Sequence, residues 1–122
     1  MKIVQAPHDV LNKEAKPVDK IDKAIRKLLA EMEDTLVKAK DPEGVGLAAP
    51  QVGLSIRLFV IDTSPFGEDT DLSNEEQSQL KNFKRTFINA KMIKEDGEEW
   101  GFNEGCLSIP EVREDVYRHE RI

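Results

Sequence analysis

The chain has a single cysteine, no excess of basic residues and no long apolar run. Cys106 cannot form a disulfide within the chain, and it fits a reducing compartment where a thiol serves as ligand or nucleophile. No apolar stretch approaches the roughly 20 residues that span a bilayer, and the first residues lack a signal-peptide core. The net charge of −6 argues against clustered Lys and Arg for binding phosphates. We therefore expect a cytoplasmic protein without a membrane partner and without a direct nucleic-acid partner.

The composition predicts a folded protein of modest size. With 39% hydrophobic and 34% charged residues, the 122-residue chain is globular in character and far from the composition of disordered segments. A chain of this length supports one compact unit with a modest core. No internal repeat, low-complexity tract or linker suggests a second unit. We expect residues 1–122 to form a single domain.

Residues 19–40 have the periodicity of an amphipathic helix. Asp19 is the expected N-cap, and the segment Asp41-Pro42-Glu43-Gly44 supplies the expected stop and turn. The apolar positions recur every three or four residues: Ile21, Ala24, Ile25, Leu28, Leu29, Met32, Leu36 and Ala39. Such a stripe usually faces a core, so we expect the helix to pack inside the protein rather than against a partner.

The rest of the chain indicates β-strands. Residues 55–62 are rich in β-favouring side chains and predict a largely buried strand, while 63–82 are polar and acidic and predict a solvated insertion. Residues 86–89 resume a strand pattern. The Asp96-Gly97 pair predicts a hairpin turn, and a last strand is expected at 115–119, after Pro110.

A glycine-rich motif follows the helix: Gly44-Val45-Gly46-Leu47-Ala48-Ala49-Pro50-Gln51. Glycines at these positions allow a tight turn and let the backbone approach a ligand. The side-chain amide of Gln51 can donate to an oxygen that gains charge when a carbonyl is attacked. A dinucleotide-binding loop fits poorly, because the glycines precede the strand and no third glycine opens a helix. Taken alone, the motif also fits an ordinary helix-to-strand turn.

The second motif is Glu104-Gly105-Cys106-Leu107-Ser108. Alone, its cysteine could be a small buried hydrophobic residue. Together and in this order, the two motifs resemble those of the peptide deformylase family, and the resemblance extends over essentially all 122 residues. It implies an α+β fold in which the N-terminal amphipathic helix packs on antiparallel strands. It also implies hydrolysis of the N-formyl group from the initiator formyl-methionine of nascent polypeptides, with N-formyl-methionyl peptides and ribosome-associated nascent chains as partners.

The resemblance assigns roles to individual residues. Cys106 would be a ligand of Fe²⁺ or another divalent ion (zinc, nickel or cobalt), which the family holds with three protein ligands and a water. Gln51 and the backbone N–H of Leu107 would stabilise the oxyanion, and Glu104 would help orient the metal site. Substrate-binding positions would be Gly44, Val45, Gly46, Glu104, Gly105 and Arg118, with Arg118 near the peptide end of the substrate.

The family's third motif, H-E-x-x-H, supplies two His ligands and the catalytic Glu, and the 122 residues do not contain it. His119-Glu120-Arg121-Ile122 is similar, but it follows Cys106 too closely and continues a β-like run, so we expect His119 to lie on a strand face. We expect His8 to be no ligand either. With one of the three metal ligands, the chain should bind metal weakly or not at all and should be inactive alone. We expect its uncovered apolar surface to contact a second copy of the chain or a complementing C-terminal fragment.

Two other functions stay open at this point. The chain could be a non-catalytic module that binds formyl-methionyl peptides or self-associates, since Gln51, Gly46 and Leu107 are intact beside an incomplete metal set. Alternatively, Cys106 could be a nucleophile activated by His119, as in cysteine hydrolases.

Overall fold

The computed structural model describes residues 1–40 and 43–122. The helices and strands are α1 (Lys23–Lys38), β1 (Gly46–Ala48), β2 (Leu58–Asp62), α2 (Asn74–Asn82), β3 (Lys84–Ile88), β4 (Asp96–Cys106) and β5 (Ile109–Arg121). The strands form an antiparallel sheet in the order β1-β2-β3 and a separate antiparallel hairpin, β4-β5. The expected α+β arrangement, with the helix packed on antiparallel strands, is confirmed.

The first helix begins later than the sequence predicted. Its N-cap is Asp22, whose carboxylate accepts a hydrogen bond from the Ile25 N–H at 3.0 Å, so the assignment of Asp19 as the cap was wrong. Both aspartates suit a cap, and the fold uses the one that lies a turn closer to the buried stripe. The helix ends at Lys38 rather than Lys40. The predicted stop over residues 41–44 lies partly outside the described residues.

The core lies between α1 and the three-stranded sheet. The helix contributes its buried face, and β2 alternates, with Leu58, Val60 and Asp62 buried and the residues between them half-buried. Met32 is fully buried, which makes it the central contact of the helix with the sheet. The core-facing prediction is therefore confirmed for Leu28, Met32 and Leu36, with Ile25 and Leu29 packed beside them. It was wrong for Ile21, which precedes the helix and is 55% exposed. The buried core cluster contains Leu28, Met32, Leu36, Leu47, Ala49, Leu58 and Val60.

The predicted strand 55–62 is shorter in the structure because its first part has another partner. Lys16 donates its N–H to the Ser55 carbonyl at 2.9 Å, and its own carbonyl accepts from the Arg57 N–H at 2.8 Å. This segment therefore ties the N-terminal part of the chain to the sheet, and β2 starts at Leu58. Strand β3 begins at Lys84, before the predicted residue 86.

The acidic insertion between β2 and β3 is folded. It contains a 3₁₀ turn, Ser64–Glu68, and the helix α2, neither of which was predicted. Helix α2 starts with a capping box, in which Ser73 Oγ accepts from the Glu76 N–H at 3.1 Å and Glu76 Oε2 accepts from the Ser73 N–H at 3.2 Å. The S-x-x-E spacing was visible in the sequence, and it was the signal that could have found this helix.

The long hairpin turns at a different place from the one predicted. Its turn is Leu107–Ser108, between paired Cys106 and Ile109, so the prediction of a turn at Asp96-Gly97 was wrong. Gly97 has a φ of 85° and lies where the pairing register shifts at the start of β4. Strand β5 begins before Pro110, not after it. Within the described ranges, no helix is long and apolar enough to cross a membrane.

Candidate functional site

The two sequence motifs meet in the structure. Strand β1 leads into a 3₁₀ turn, Ala49–Val52, that carries Gln51, and the turn of the β4-β5 hairpin carries the cysteine motif. The N-terminal segment holds both in place, because Val4 donates its N–H to the Gln51 carbonyl at 2.7 Å and Ala6 donates to the Ser108 carbonyl at 2.8 Å. Gln51 and Cys106, which are 55 positions apart in the sequence, therefore become neighbours.

The orientation of the Gln51 amide is fixed by hydrogen bonds. Its Oε1 accepts from the Ala48 N–H at 2.9 Å, which can pair only with an oxygen. Its Nε2 therefore faces the second motif, where it donates to Ser108 Oγ at 3.2 Å and lies 3.8 Å from Cys106 Sγ. Ser108 is buried, so its contact with Gln51 is partly shielded from solvent, whereas the contact with Cys106 is exposed. The arrangement places an amide donor beside the thiol, as an oxyanion-stabilising role for Gln51 requires.

Gly44 makes room for Leu107. A Cβ at position 44 would lie 2.7 Å from Leu107 Cδ1 and 3.1 Å from Leu36 Cδ1. The glycines with positive φ are Gly53 and Gly97, so Gly44 and Gly46 do not use the left-handed conformation that glycine permits. The absence of a side chain at Gly44 instead lets Leu107 pack against the core cluster, which fixes the backbone beside Cys106.

A single cleft contains most of the predicted site. It has a volume of about 1010 Å³, at the upper end of the roughly 300–1,000 Å³ typical of ligand sites. The predicted residues that line it are Gly44, Val45, Gly46, Gln51, Glu104, Gly105, Cys106 and Leu107. Cys106 is a free, exposed thiol. The structure therefore brings the predicted substrate and oxyanion residues together with the predicted metal ligand.

Arg118 is the predicted residue that does not line this cleft. It pairs with Glu104 across the hairpin, with Nη2 2.6 Å from Oε1, whereas Arg113 is the cleft-lining arginine. Arg118 is therefore held against Glu104 and does not itself line the cleft. Its hydrogen bond lowers the pKa of Glu104 against the opposing effect of burial, and the guanidinium charge lowers it further. Glu104 is thus held ionised in a fixed orientation.

The Glu104–Arg118 pair should make stability depend on pH in the acidic range. Because the folded pKa of Glu104 lies below its ordinary value, the unfolded chain binds the proton more readily. The stabilisation is present above about pH 5 and is lost as the pH falls through the folded pKa. Because the Arg118 side chain is 60% exposed, we expect about 0.5 kcal/mol at pH 7.

The measurement is urea unfolding of the wild type and Glu104→Gln between about pH 7 and pH 3. The difference in unfolding free energy between the two proteins should shrink on acidification. Glu111→Gln, which changes an exposed glutamate of β5, is the matched control. A difference that stays constant with pH would contradict this role for the pair.

His119 lies far from the thiol. It pairs with Glu99 in the hairpin register, and the seven residues of β4 from Glu99 to Cys106 span roughly 24 Å. The hypothesis that His119 activates Cys106 is therefore wrong, and His119 lies on a strand as expected. His8 has a local role, because its Nδ1 accepts from the Val10 N–H at 3.2 Å and caps a 3₁₀ turn.

Cys106, the predicted metal ligand, lies in the cleft. Cys106 Sγ opens into the cleft as a sulfur donor, and Glu104 beside it is ionised. Across residues 1–40 and 43–122, no group of three or more His, Cys, Asp and Glu side chains could hold an ion. These residues therefore do not by themselves form the three-ligand set of a catalytic metal.

The sequence interpretation missed the aromatic part of the cleft. Trp100 and Phe102 line it, as does Phe66 from the folded insertion. The signal was a period of two, because Trp100, Phe102, Glu104 and Cys106 alternate along β4 and so share one face. The contribution of Phe66 had no comparable local signal.

The chain is similar to known deformylases in both sequence and fold. The family model for polypeptide deformylase matches residues 1–122. Peptide deformylase of Flavobacterium johnsoniae is 66% identical over 94 residues, covering 77% of this chain and 46% of the relative. That of Flavobacterium psychrophilum is 56% identical over 113 residues, covering 93% and 57%. The crystal structure of peptide deformylase from Thermotoga maritima superposes with a TM-score of 0.76 at 35% identity, covering 97% and 67%. The chain spans about half the length of the curated relatives it matches.

Proposed function

The chain belongs to the polypeptide deformylase family, and from this premise we propose that it carries the substrate cleft and the cysteine ligand of an enzyme that removes the N-formyl group from the initiator formyl-methionine of nascent polypeptides. The observation that supports this most directly is the Gln51 amide, fixed by Ala48 and aimed at Ser108 and Cys106. An amide donor beside the thiol, inside a cleft edged by glycine backbone, suits hydrolysis of a carbonyl group on a peptide.

Each residue of the cleft has a role in this proposal. The substrate backbone pairs with the chain near Gly46 and Gly105, as an added strand does. Gln51 Nε2 and the Leu107 N–H donate to the formyl oxygen as negative charge develops on it. Gly44 and Val45 line the cleft and contact the bound substrate. Glu104, held by Arg118, orients the surroundings of Cys106.

Cys106 supplies one donor to the family's ion, which is iron(II) or another divalent metal such as zinc, nickel or cobalt. When bound, that ion would supply Lewis-acid chemistry at the formyl group. The other donors belong to the H-E-x-x-H motif, which is not among these 122 residues. We therefore propose that the 122 residues form one domain that acts in the cytoplasm on nascent chains. They turn over no substrate until further polypeptide supplies that motif.

The test compares two proteins loaded anaerobically with iron(II). One is the 122-residue chain, and the other is the same chain continued with the part of the Flavobacterium psychrophilum deformylase that lies beyond the matched residues. Deformylation of a formyl-methionyl peptide is expected from the chimera alone, and Cys106→Ser should abolish it. A folded chimera that binds iron but does not deformylate the peptide would overturn the proposed function.

A second candidate function is a non-catalytic module that binds formyl-methionyl peptides or pairs with a second copy. It is favoured by the exposed apolar side chains along the hairpin, where Trp100 is 50% and Val112 is 52% exposed. Peptide binding by the 122 residues together with an inactive chimera would support this candidate instead.

A further inference from the structure

Ser108 joins three segments of the chain at the Gln51 end of the cleft. Its hydroxyl accepts a hydrogen bond from Gln51 Nε2 at 3.2 Å, and its carbonyl accepts from the Ala6 N–H at 2.8 Å. Ser108 is 3% exposed and lies outside the lining of the cleft. It therefore contacts groups that form the site and not the space in which a substrate would lie.

The hydrogen bonds around Ser108 form a closed ring. Val4 donates its N–H to the Gln51 carbonyl at 2.7 Å, and Ala6, two residues further on, donates to the Ser108 carbonyl. The Gln51 side chain completes the ring through the Ser108 hydroxyl. Ile3, beside Val4, packs against the core cluster, so the N-terminal segment is itself anchored. A shift of any one of the three segments would therefore stretch bonds to the other two.

The ring determines the direction of the Gln51 amide. A side-chain amide has one acceptor oxygen and two N–H donors on its nitrogen. The Ala48 N–H occupies the oxygen, and Ser108 Oγ takes one of the two donors. The nitrogen also lies 3.8 Å from Cys106 Sγ, so the second donor is on the cleft side. A donor that is oriented before the reaction needs no reorganisation when negative charge develops on an oxygen.

The two contacts of Ser108 can be separated by substitution. The bond from Ala6 uses the backbone carbonyl, which any residue retains, whereas the bond from Gln51 uses the hydroxyl. Ser108→Ala therefore removes the contact that orients the amide and keeps the contact that ties the hairpin turn to the N-terminal segment. A purely structural role and a positioning role then have different consequences.

Building on the proposed function, we infer that Ser108 is a positioning residue for the oxyanion donor. Its hydroxyl holds the Gln51 amide so that one N–H is directed at the formyl oxygen, and residues 3–6 fix the backbones of both residues. Ser108 itself contacts no substrate and acts through Gln51 alone. The inference gives a function to the serine that ends the cysteine motif and to the N-terminal segment.

The test is a double-mutant cycle in the chimera, with Ser108→Ala, Gln51→Ala and the double variant. Ser108→Ala should lower kcat and kcat/KM together by about three- to tenfold, the value of one hydrogen bond, and leave KM unchanged. In the Gln51→Ala background it should have no further effect, because no amide is left to orient. The matched control is Ser55→Ala, which removes a hydroxyl bond to the Glu14 carbonyl away from the cleft and should not change activity.

Nuclear magnetic resonance tests the orientation in the 122-residue protein without turnover. The Gln51 side-chain NH₂ signals are identified by their loss in Gln51→Ala. Ser108→Ala should shift these signals and speed their exchange with solvent, while the backbone N–H of Ala6 keeps its acceptor and its slow exchange.

A second variant does not depend on Ser108. Val4→Pro removes the N–H that bonds the Gln51 carbonyl, and it should shift the same side-chain signals and lower kcat of the chimera. Lys2→Pro, the same kind of change at an exposed position of the segment, is its control and should do neither.

The outcomes separate the inference from the proposed function. If Ser108→Ala has no effect on kcat, costs the same with and without Gln51, or leaves the NH₂ signals in place, the inference is overturned and the proposed function stands. If the wild-type chimera folds and binds iron but does not deformylate the peptide, the proposed function fails, and a positioning role for Ser108 fails with it.

Discussion

Gln51→Glu is expected to lower kcat/KM of the active chimera by about 100- to 1,000-fold, the usual cost of losing one oxyanion donor. The substitution keeps an oxygen for the Ala48 N–H, so the local turn should persist. It replaces the Nε2 donor that faces Ser108 and Cys106 with an acceptor that carries negative charge. The oxygen that gains charge during the reaction would then be repelled instead of stabilised.

The measurement is steady-state deformylation, with thermal unfolding of the same samples. The matched control is Gln79→Glu, which makes the same change at an exposed position of α2. Comparable melting temperatures with a large loss of kcat/KM in Gln51→Glu alone would support the donor role. Retention of activity within about threefold would contradict it, because an oxyanion donor is worth far more than that.

Met32→Ala is expected to lower the free energy of unfolding by about 3 kcal/mol, through lost burial and the cavity left behind. Met32 is 0% exposed and belongs to the cluster where α1 meets the sheet. Its neighbours there come from both the helix and the strands, so the gap cannot close without moving one against the other.

Urea unfolding measures this loss, and Met92→Ala provides a control of the same residue type. Met92 is 59% exposed and should change the unfolding free energy by less than about 0.5 kcal/mol. An equal effect of the two substitutions would show that α1 is not seated on the sheet as described.

Local sequence patterns were enough to predict the elements whose signals are local. The three- and four-residue periodicity identified α1 and the face that carries Met32, and the β-favouring run identified β2. The prediction of Asp19 instead of Asp22 as the cap was wrong, because both residues have the same capping chemistry and the choice depends on where the helix packs. Helix α2 was missed although its capping box was visible, because its face is polar and lacks an apolar stripe.

The turn of the hairpin depended on pairing rather than on local preference. Asp96-Gly97 has the stronger turn signal, yet the chain turns at Leu107–Ser108, because this choice gives β4 and β5 a long pairing register. Hydrogen bonds along two long strands outweigh the preference of one dipeptide. The contact of Arg118 with Glu104 follows from that register and could not be read from the sequence.

The sequence by itself determined the family, through two short motifs, and the residue types that the cleft contains. Only the tertiary structure decided how those residues meet: which atom of Gln51 faces Cys106, that Gly44 leaves room for Leu107, and that Phe66 of the insertion reaches Phe102 of β4. The reason is physical. Motifs and periodicity depend on neighbours along the chain, whereas these contacts join segments that are distant in sequence, and their geometry is fixed by packing of the whole core.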